Sequence, residues 1–418
     1  RRLDEARATA KVAGYRGAMY PWQSGSDGKE ETQIVHLNPR SGRWDRDLSH
    51  NQRHINAAIF YNIWRYHQAT EDSEFLLSHG AEMMLEIARF WASIATYDRE
   101  QDRYEIHGVM GPDEFHEKYP DSEEEGLRNN AYTNVLVAWI CETAQMVLDL
   151  LPDNRRRSLC AKIGLSENEV QMWRDMSHRM FVPFHDNGII SQFEGYEELE
   201  ELDWEFYRAK YGNIQRLDRI LRAEGDTPDR YKLSKQADAL MLFFMFAEEE
   251  LRRIFHRLGY EYTPDTARKN IAYYEPRTTH GSTLSFVVHA AILADVDPKS
   301  SWDMFTTALE SDVSDIQGGT TKEGIHMGVM AGALDLIQRG YMGAEIQDGV
   351  LCFSPKPNER LDGLSFPLRF RKTQVEIALK EDSLMVAVHT DGLGRTIEVS
   401  VGDESREIKE GEHYAFPL

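Results

Sequence analysis

Apolar and polar positions recur at helical spacing along most of the chain. The stretch 72–97 shows the pattern clearly, with Phe75, Leu76, Met83, Leu85, Ile87, Phe90 and Trp91 set between charges. The same periodicity predicts helices over 47–69, 72–97, 130–150, 166–180, 233–256, 281–296, 299–311 and 321–340. Turn-rich stretches connect them: PWQSGSDG, NPRSG, GPDE, HDNG and DIQGG. Long ordered connections of this kind often carry function. Near residue 345 the period changes. QVEIALK, SLMVAVHT and TIEVSVG alternate with period two, and KEDS and TDGLG separate them as turns. The expectation is a mainly α protein, with residues 1–345 forming a helical domain and 346–418 a small antiparallel β-sandwich. Antiparallel helix pairs with function-bearing loops at one end suggest an (α/α) barrel. A helical solenoid is the alternative, although no repeat of roughly 20–50 residues is visible.

Composition narrows the function classes. A chain of 418 residues is long enough for one large domain or two to three ordinary ones. A hydrophobic content of 41% permits a sizeable interior. The net charge of −22 argues against a nucleic-acid partner, because such a surface repels phosphates, yet a local pocket can still hold a small anion. Cys141, Cys160 and Cys352 form no CxxC pair, so no metal is expected and a reducing, cytoplasmic setting is. No apolar run reaches the roughly 20 residues of a membrane span. The opening RRLDEARATAKVAGY is charged and amphipathic, unlike a signal peptide, and there is no starting Met. The expectation is a chain cut from something longer.

Three kinds of stretch could carry chemistry. The first is GVMGPDEFHEKYPD, residues 108–121. Breaking a glycosidic bond requires a protonated carboxylic acid at the leaving oxygen. Asp113 and Glu114 are the candidates, with Phe115 and the prolines as an apolar wall and His107, His116 and Arg128 tuning charge. The bland alternative is a set of loop acids facing water. The second kind is a pair of glycine-containing stretches, YYEPRTTHGSTLS and DIQGGTTKEGIHMG, each expected to open a helix. Helix N-termini offer free N–H groups to an anion, and His280 and His326 lie nearby. The bland reading makes Ser282 a cap and Thr320 with Glu323 a capping box. Gly324, Gly328 and Gly332, four apart, are read as a close helix–helix approach. The third kind is aromatic and amide-rich: Tyr20 and Trp22, Trp44, Asn129, Asn130 and Tyr132, and Lys235, Gln236 and Asp238. Such platforms and forks suit sugar faces and hydroxyls. For Lys235 and Asp238 the competing reading is a surface ion pair on a helix.

These stretches also occur together in a known order. GYRGAMYPWQSG, QRHINAAIFYNIW, GVMGPDEFHE, NNAYTN, KQAD, YYEPRTTHGSTLS and GGTTKEGIHMGVMAG resemble glycoside hydrolase family 65 from about residue 14 to 345. That family holds inverting phosphorylases for trehalose, maltose and kojibiose, with some trehalases and other hydrolases. The resemblance implies an (α/α) six-hairpin toroid followed by a small β domain. It implies Glu114 as general acid, and Lys235 and Gln236 as the substrate-binding pair. Tyr20, Pro21 and Trp22 match the loop beside the glucose subsite, and Asn130 joins the substrate-binding set. His280, Ser282, Thr320, Thr321 and His326 match the two phosphate loops. Family members carry a β-sandwich, a linker and a Phe-Trp-Asp-Thr-Glu stretch before this point, so the toroid is expected to lack its first helices. Arg128 stands where phosphorylases commonly have Asp, and PWQSGSDG with HLNPRSGRW looks closer to the trehalose-cleaving branch.

Two mechanisms follow from the resemblance. A phosphorylase needs a phosphate pocket and no second carboxylate. An inverting hydrolase needs a base roughly 6.5–9.5 Å from the acid, for which Glu275 is the candidate, its bland role being a pair with Arg277. The expected reaction is phosphorolysis of an α-glucosidic disaccharide to β-glucose 1-phosphate. Hydrolysis, or an inactive sugar-binding remnant, are the alternatives. No cofactor is expected, since inorganic phosphate enters as co-substrate. The expected partners are the disaccharide and phosphate, neither nucleic acid nor membrane, with a second copy of the chain as the protein partner considered.

Overall fold

The computed structural model describes residues 2–316, 324–356, 358–361, 363–389 and 392–418. Packing divides the chain into two units: Arg1–Tyr61 with Phe75–Ser285, and Asn62–Glu74 with Phe286–Leu418.

The spine of the first unit is helix Ala131–Leu150, which is buried along most of its length. Its run of Val, Leu, Ala, Trp, Ile and Cys has no polar stripe, so it needs covering on every side. Helices Ala81–Ile94 and Glu167–Arg179 pack against it. Phe60, Tyr61 and Phe246 close around Trp139 at ring separations of 5.5–5.7 Å. Helix Leu3–Val12 is fastened by charge. Arg7 bonds Glu82 and Glu86, both at 2.7 Å, and those carboxylates are buried. Gly17 has φ +72 and lies so near the Glu86 carbonyl that any Cβ would collide with it, which is why the sequence needs Gly there.

The expected helices are largely present, with corrections. The one placed at 47–69 begins at Ile55, after a short 3-10 turn at Ser49–Asn51. The 72–97 helix ends at Ile94, and Thr96–Asp98 instead pairs as a strand with Arg103–Glu105. The 233–256 helix is two helices, Asp238–Met245 and Glu248–Arg257, broken by extended backbone at Phe246 and Ala247. Helices Leu3–Val12, Asp153–Ile163, Trp204–Tyr211, Leu217–Glu224 and Thr266–Tyr274 were not anticipated. No described helix is long and apolar enough to cross a membrane, and the three cysteines are unpaired.

In the second unit, helices Pro298–Glu310 and Met327–Asp335 precede a pair of sheets. The helix expected from 321 begins at Met327. Gly324 precedes it with φ +110, so it shares no helix face with Gly328 and Gly332. At Gly332 the close approach does hold, since a Cβ there would meet Val287 Cγ1 at 2.9 Å.

Among the described residues, eight strands form two four-stranded sheets: β1 Glu345–Gln347, β2 Val350–Phe353, β3 Ser365–Phe370, β4 Thr373–Lys380, β5 Ser383–Val388, β6 Thr396–Val401, β7 Glu404–Lys409 and β8 His413–Pro417. The sheet orders are β7-β6-β2-β1 and β3-β4-β5-β8. Alternation buries Val375, Ile377, Leu384, Val386, Ile397 and Val399 in a shared core with Phe353, Phe370 and Phe416. One pair departs from the antiparallel expectation. Strands β2 and β6 run parallel, with Leu351 opposite Val399.

Candidate active site

The acid-rich loop leaves strand His107–Val109, which is paired with Leu127–Arg128. Four backbone groups leading to its tip are held by distant residues. Met110 N donates to Asn51 O at 3.0 Å. Gln52 Nε2 reaches Gly111 O at 3.4 Å, and Gln236 Nε2 donates to Pro112 O at 2.7 Å. Asp113 N donates to Asp238 Oδ1 at 2.6 Å. At Gly111 a Cβ would run into the Asp238 carboxylate and the Asn130 amide, so only Gly fits.

The two adjacent acids have opposite surroundings. Asp113 is buried and committed to structure: its Oδ1 accepts from Lys235 N at 2.6 Å, and its Oδ2 meets His116 Nδ1 at 2.7 Å. The other ring nitrogen of His116 faces the Tyr231 carbonyl at 3.0 Å. With acceptors at both nitrogens, His116 is placed to be a cation. Burial acts to lower its pKa, but the hydrogen bond and charge of Asp113 outweigh that and leave it raised above 6.5. Asp238 is fully buried, and burial, with the Asp113 charge added, pushes its carboxyl well up.

Glu114 turns the other way. Its backbone is left-handed at φ +63, unusual for a residue with a side chain. Its side chain is about one-third exposed, at 32%, and its Oε2 accepts from Lys235 Nζ at 2.6 Å. His54 lies within its field. Burial drives His54 down to about 4, with Glu114 acting in the opposite sense, so this ring is neutral near pH 7. The His54 ring lies 5.1 Å from that of Trp22.

Among the described residues, several buried polar atoms on the residues that hold this loop and its supports have no partner: Gln52 Oε1, His54 Nδ1, Gln236 Oε1 and Gln192 Nε2. Leaving such groups dry costs free energy. They match the needs of a polyhydroxyl ligand, whose OH groups both donate and accept.

The KQ and HGS stretches run side by side. Ser234 N donates to Arg277 O at 2.9 Å, and Thr279 N donates to Ser234 O at 2.8 Å. Gly281 is packed against Gln215 O and Lys235 Cγ, where a Cβ would sit at 2.5 and 3.0 Å. His280, left-handed at φ +53, shares a 2.9 Å hydrogen bond with Ser285 Oγ, and its Nε2 lies 3.9 Å from Glu275 Oε1. Ser282 is half-buried one residue before helix Thr283–Leu293.

Other candidates fall elsewhere or take other roles. Lys235 and Asp238 form no surface ion pair, because the helix starts only at Asp238 and Lys235 is bound to the acid loop. Phe115 packs with Leu202, Tyr207, Leu217, Ile220, Leu221 and Leu233. His107 pairs with Glu105, and Arg128 with Glu194, so neither tunes Glu114 by contact. Asn130 caps helix Ala131–Leu150. Its Oδ1 accepts from Thr133 N and Oγ1, and its Nδ2 donates to Asp238 and to Gln192 O. That uses its full hydrogen-bonding capacity internally. The Tyr20 hydroxyl is buried, which raises its pKa to about 12, and it feels Arg7 and Glu86. Arg277 bonds Glu201 and not Glu275. In the second unit His326 Nδ1 lies 2.5 Å from Asp312 Oδ1, and its backbone N donates to the other oxygen. Thr320, Thr321 and Glu323 lie outside the described residues. Reading the sequence did not find Gln52, His54 or Gln192 as site residues. A cluster of polar residues, Gln-Arg-His, directly before an apolar helix was the available signal.

Comparison with known proteins adds an independent finding. Residues 1–335 match the model of the glycosyl hydrolase family 65 central catalytic domain, and 344–408 that of the family's C-terminal domain. An uncharacterized glycosyl hydrolase of Mycobacterium tuberculosis is 50% identical over 411 residues, 98% of this chain and 31% of that protein. The trehalose 6-phosphate phosphorylase of Lactococcus lactis is 38% identical over 100% of this chain and 52% of its own length. A solved structure of a candidate kojibiose phosphorylase from the human microbiome superposes with a TM-score of 0.79 at 23% identity, covering 100% of this chain and 55% of that one. The chain thus spans between about a third and about half of the length of these relatives.

Proposed function

The chain belongs to glycoside hydrolase family 65, and on that premise we propose that it cleaves an α-glucosidic disaccharide with inversion, using phosphate as nucleophile. Glu114 protonates the glycosidic oxygen as the bond from C1 to that oxygen breaks. A phosphate oxygen forms the new bond to C1 from the opposite face, giving β-glucose 1-phosphate and the free leaving sugar. Hydrogen phosphate brings one proton, which replaces the one Glu114 gives up, so the carboxyl is restored without a second base. Gln52, His54 and Gln236 hold hydroxyls of the transferred glucose, with Trp22 against its face. Lys235 orients Glu114. His280 and Ser282 meet the phosphate. Asn130, Asp113, His116 and Asp238 hold the loop and touch no substrate.

The observation that carries this reading is Glu114 itself: one partly exposed carboxyl on a loop held by buried partners, two of which, Gln52 and Gln236, keep a side-chain oxygen without a partner among the described residues. Incubation with trehalose, maltose or kojibiose tests it. β-Glucose 1-phosphate is expected only when phosphate is present. Free glucose released at the same rate without phosphate would overturn the reading in favour of hydrolysis.

A further inference from the structure

A polar cavity of about 660 Å³ lies in the second unit, and none of its residues belongs to the candidate active site. That volume falls among those of small-ligand pockets. Its walls are Glu71, the β1–β2 turn, the tip of the β3–β4 hairpin and residues of β6 and β7.

Arg371 is the anchored cation of this cavity. Its backbone N donates to Ala69 O at 2.7 Å. Its Nε lies 3.0 Å from Glu71 Oε1, and its guanidinium carbon is 5.1 Å from the Phe370 ring centroid. Nη2 reaches the β1–β2 turn, where a Cβ on Gly349 would lie 2.6 Å from it. The guanidinium is thus held at one edge, and its two terminal nitrogens bond nothing among the described residues. Thr373, the first residue of β4, lines the same cavity. It is 3% exposed, and its buried Oγ1 has no hydrogen-bond partner among the described residues. Such a hydroxyl costs free energy unless something reaches it. A pair of carboxylates completes the set. Glu398 and Glu407 stand directly opposite each other on β6 and β7, an arrangement that destabilises a strand pair. Neither forms an ion pair among the described residues, and the Glu398 carboxylate accepts from Ser405 Oγ at 2.9 Å.

The cavity therefore offers an unsaturated donor, an unused hydroxyl and two acceptors. Four carboxylates in its walls oppose an anion, and three cations oppose a metal ion. A neutral sugar meets neither objection, because each of its hydroxyls can donate to a carboxylate and accept from a guanidinium. Phe370 is the one aromatic residue in the wall and is buried, so the ligand is held by hydrogen bonds and not by stacking. We propose that this cavity is a non-catalytic carbohydrate site, in which Arg371, Thr373, Glu398 and Glu407 hold a neutral glucose oligosaccharide and keep the protein on it. The choice of glucose rests on the reaction proposed above; the site itself rests on the cavity alone.

Hydrogen–deuterium exchange of the whole chain with added maltotriose reads this site apart from the one at Glu114. Exchange should slow over residues 370–373 and 395–398 in the wild type, and equally in Glu114→Gln. In Arg371→Gln the maltotriose concentration giving half of that protection should rise roughly tenfold. Thr373→Val should raise it by a smaller factor without lowering thermal stability, since the hydroxyl it removes has no partner in the protein, and this separates a lost ligand contact from a damaged fold. Disaccharide turnover should be unchanged in both variants. No protection of these segments by millimolar maltotriose overturns the proposal, as does protection that both substitutions leave intact. Equal protection by inorganic phosphate alone or by calcium alone overturns it too, since the cavity would then be an ion site. Protection here in a protein that turns over no disaccharide supports this site and counts only against phosphorolysis.

Discussion

Two regions place residues with side chains in left-handed backbone, and they do so for different reasons. At the tip of the β3–β4 hairpin, Arg371 and Lys372 have φ +47 and +65 between paired Phe370 and Thr373. A two-residue type I′ hairpin loop takes positive φ at both positions to match the strand twist. In the first unit, Glu114 has φ +63 without any ladder to require it. There the loop is held by groups from far along the chain: the Asp238 and Gln236 side chains and the Lys235 backbone N–H on one side, the Gln52 side chain on the other. Strain retained at such cost in partners is expected where a group must point one way. The hairpin tolerates strain because its register fixes it. The acid loop is built to maintain it.

The largest effect should come from removing the group that the loop presents. Glu114→Gln keeps size and hydrogen bonding but cannot give up a proton. We expect kcat to fall by roughly 10²–10⁴-fold with unchanged thermal stability. Unaltered turnover in that variant would mean the loop's strain serves no chemistry, and the contrast with the hairpin would vanish. Gly111→Ala attacks the support instead. Its methyl would collide with Asp238 and Asn130, so we expect destabilisation of roughly 1–3 kcal/mol and loss of activity together. A stable, active Gly111→Ala protein would show that the buried carboxylate is free to move.

The Asp113–His116 pair sharpens the same comparison through pH. The folded-state value of His116 lies above 6.5, so its contribution to stability is complete below the ordinary histidine value. That contribution is lost as pH rises through the higher folded value. Charge-assisted bonds of this kind are worth roughly 1.5–3 kcal/mol. Urea unfolding between pH 5.5 and 9 should show stability falling with pH in the wild type, and a smaller fall in His116→Gln. Parallel curves would mean His116 is neutral and the loop is held without it.

How much of this the sequence disclosed follows from the range of the interactions. QVEIALK and SLMVAVHT announced strands because period-two burial is a local property, and β4 and β5 carry it residue by residue. The parallel pairing of β2 with β6 could not be read, since it joins residues 48 positions apart, such as Leu351 and Val399, on strands whose patterns fit either direction. The acid loop was legible as chemistry, but its supports were not. Asp113 and Asp238 are 125 positions apart, and neither looks special locally. Asn130 resembled a sugar-binding fork and is a saturated helix cap. Lys235 and Asp238 resembled an ordinary helical pair because helix propensity continues through KQAD. The bonds of Lys235 and Gln236 to the acid loop keep those residues out of the helix. Tertiary contacts overrode local preference where the candidate site lies.

The smallest expected effect belongs to the hairpin, and it runs in the opposite direction. Lys372 holds φ +65 at the turn. Replacing it with Gly removes the clash of Cβ with the backbone, worth roughly 1–2 kcal/mol in left-handed conformations. The added freedom of Gly in the unfolded chain takes back part of that, by about 0.4–1 kcal/mol. The backbone carbonyl of Lys372, which accepts from Arg395 at 2.8 Å, is unaffected. Lys372→Gly should therefore stabilise by roughly 0.5–1 kcal/mol, read as a shift of the urea midpoint with unchanged slope. Glu114→Gly relieves the same kind of clash but removes the acid, so it should abolish turnover whatever it does to stability. If Lys372→Gly destabilised the protein, the hairpin would have reasons of its own for that side chain, and strain there would no longer serve as the neutral reference for strain at Glu114.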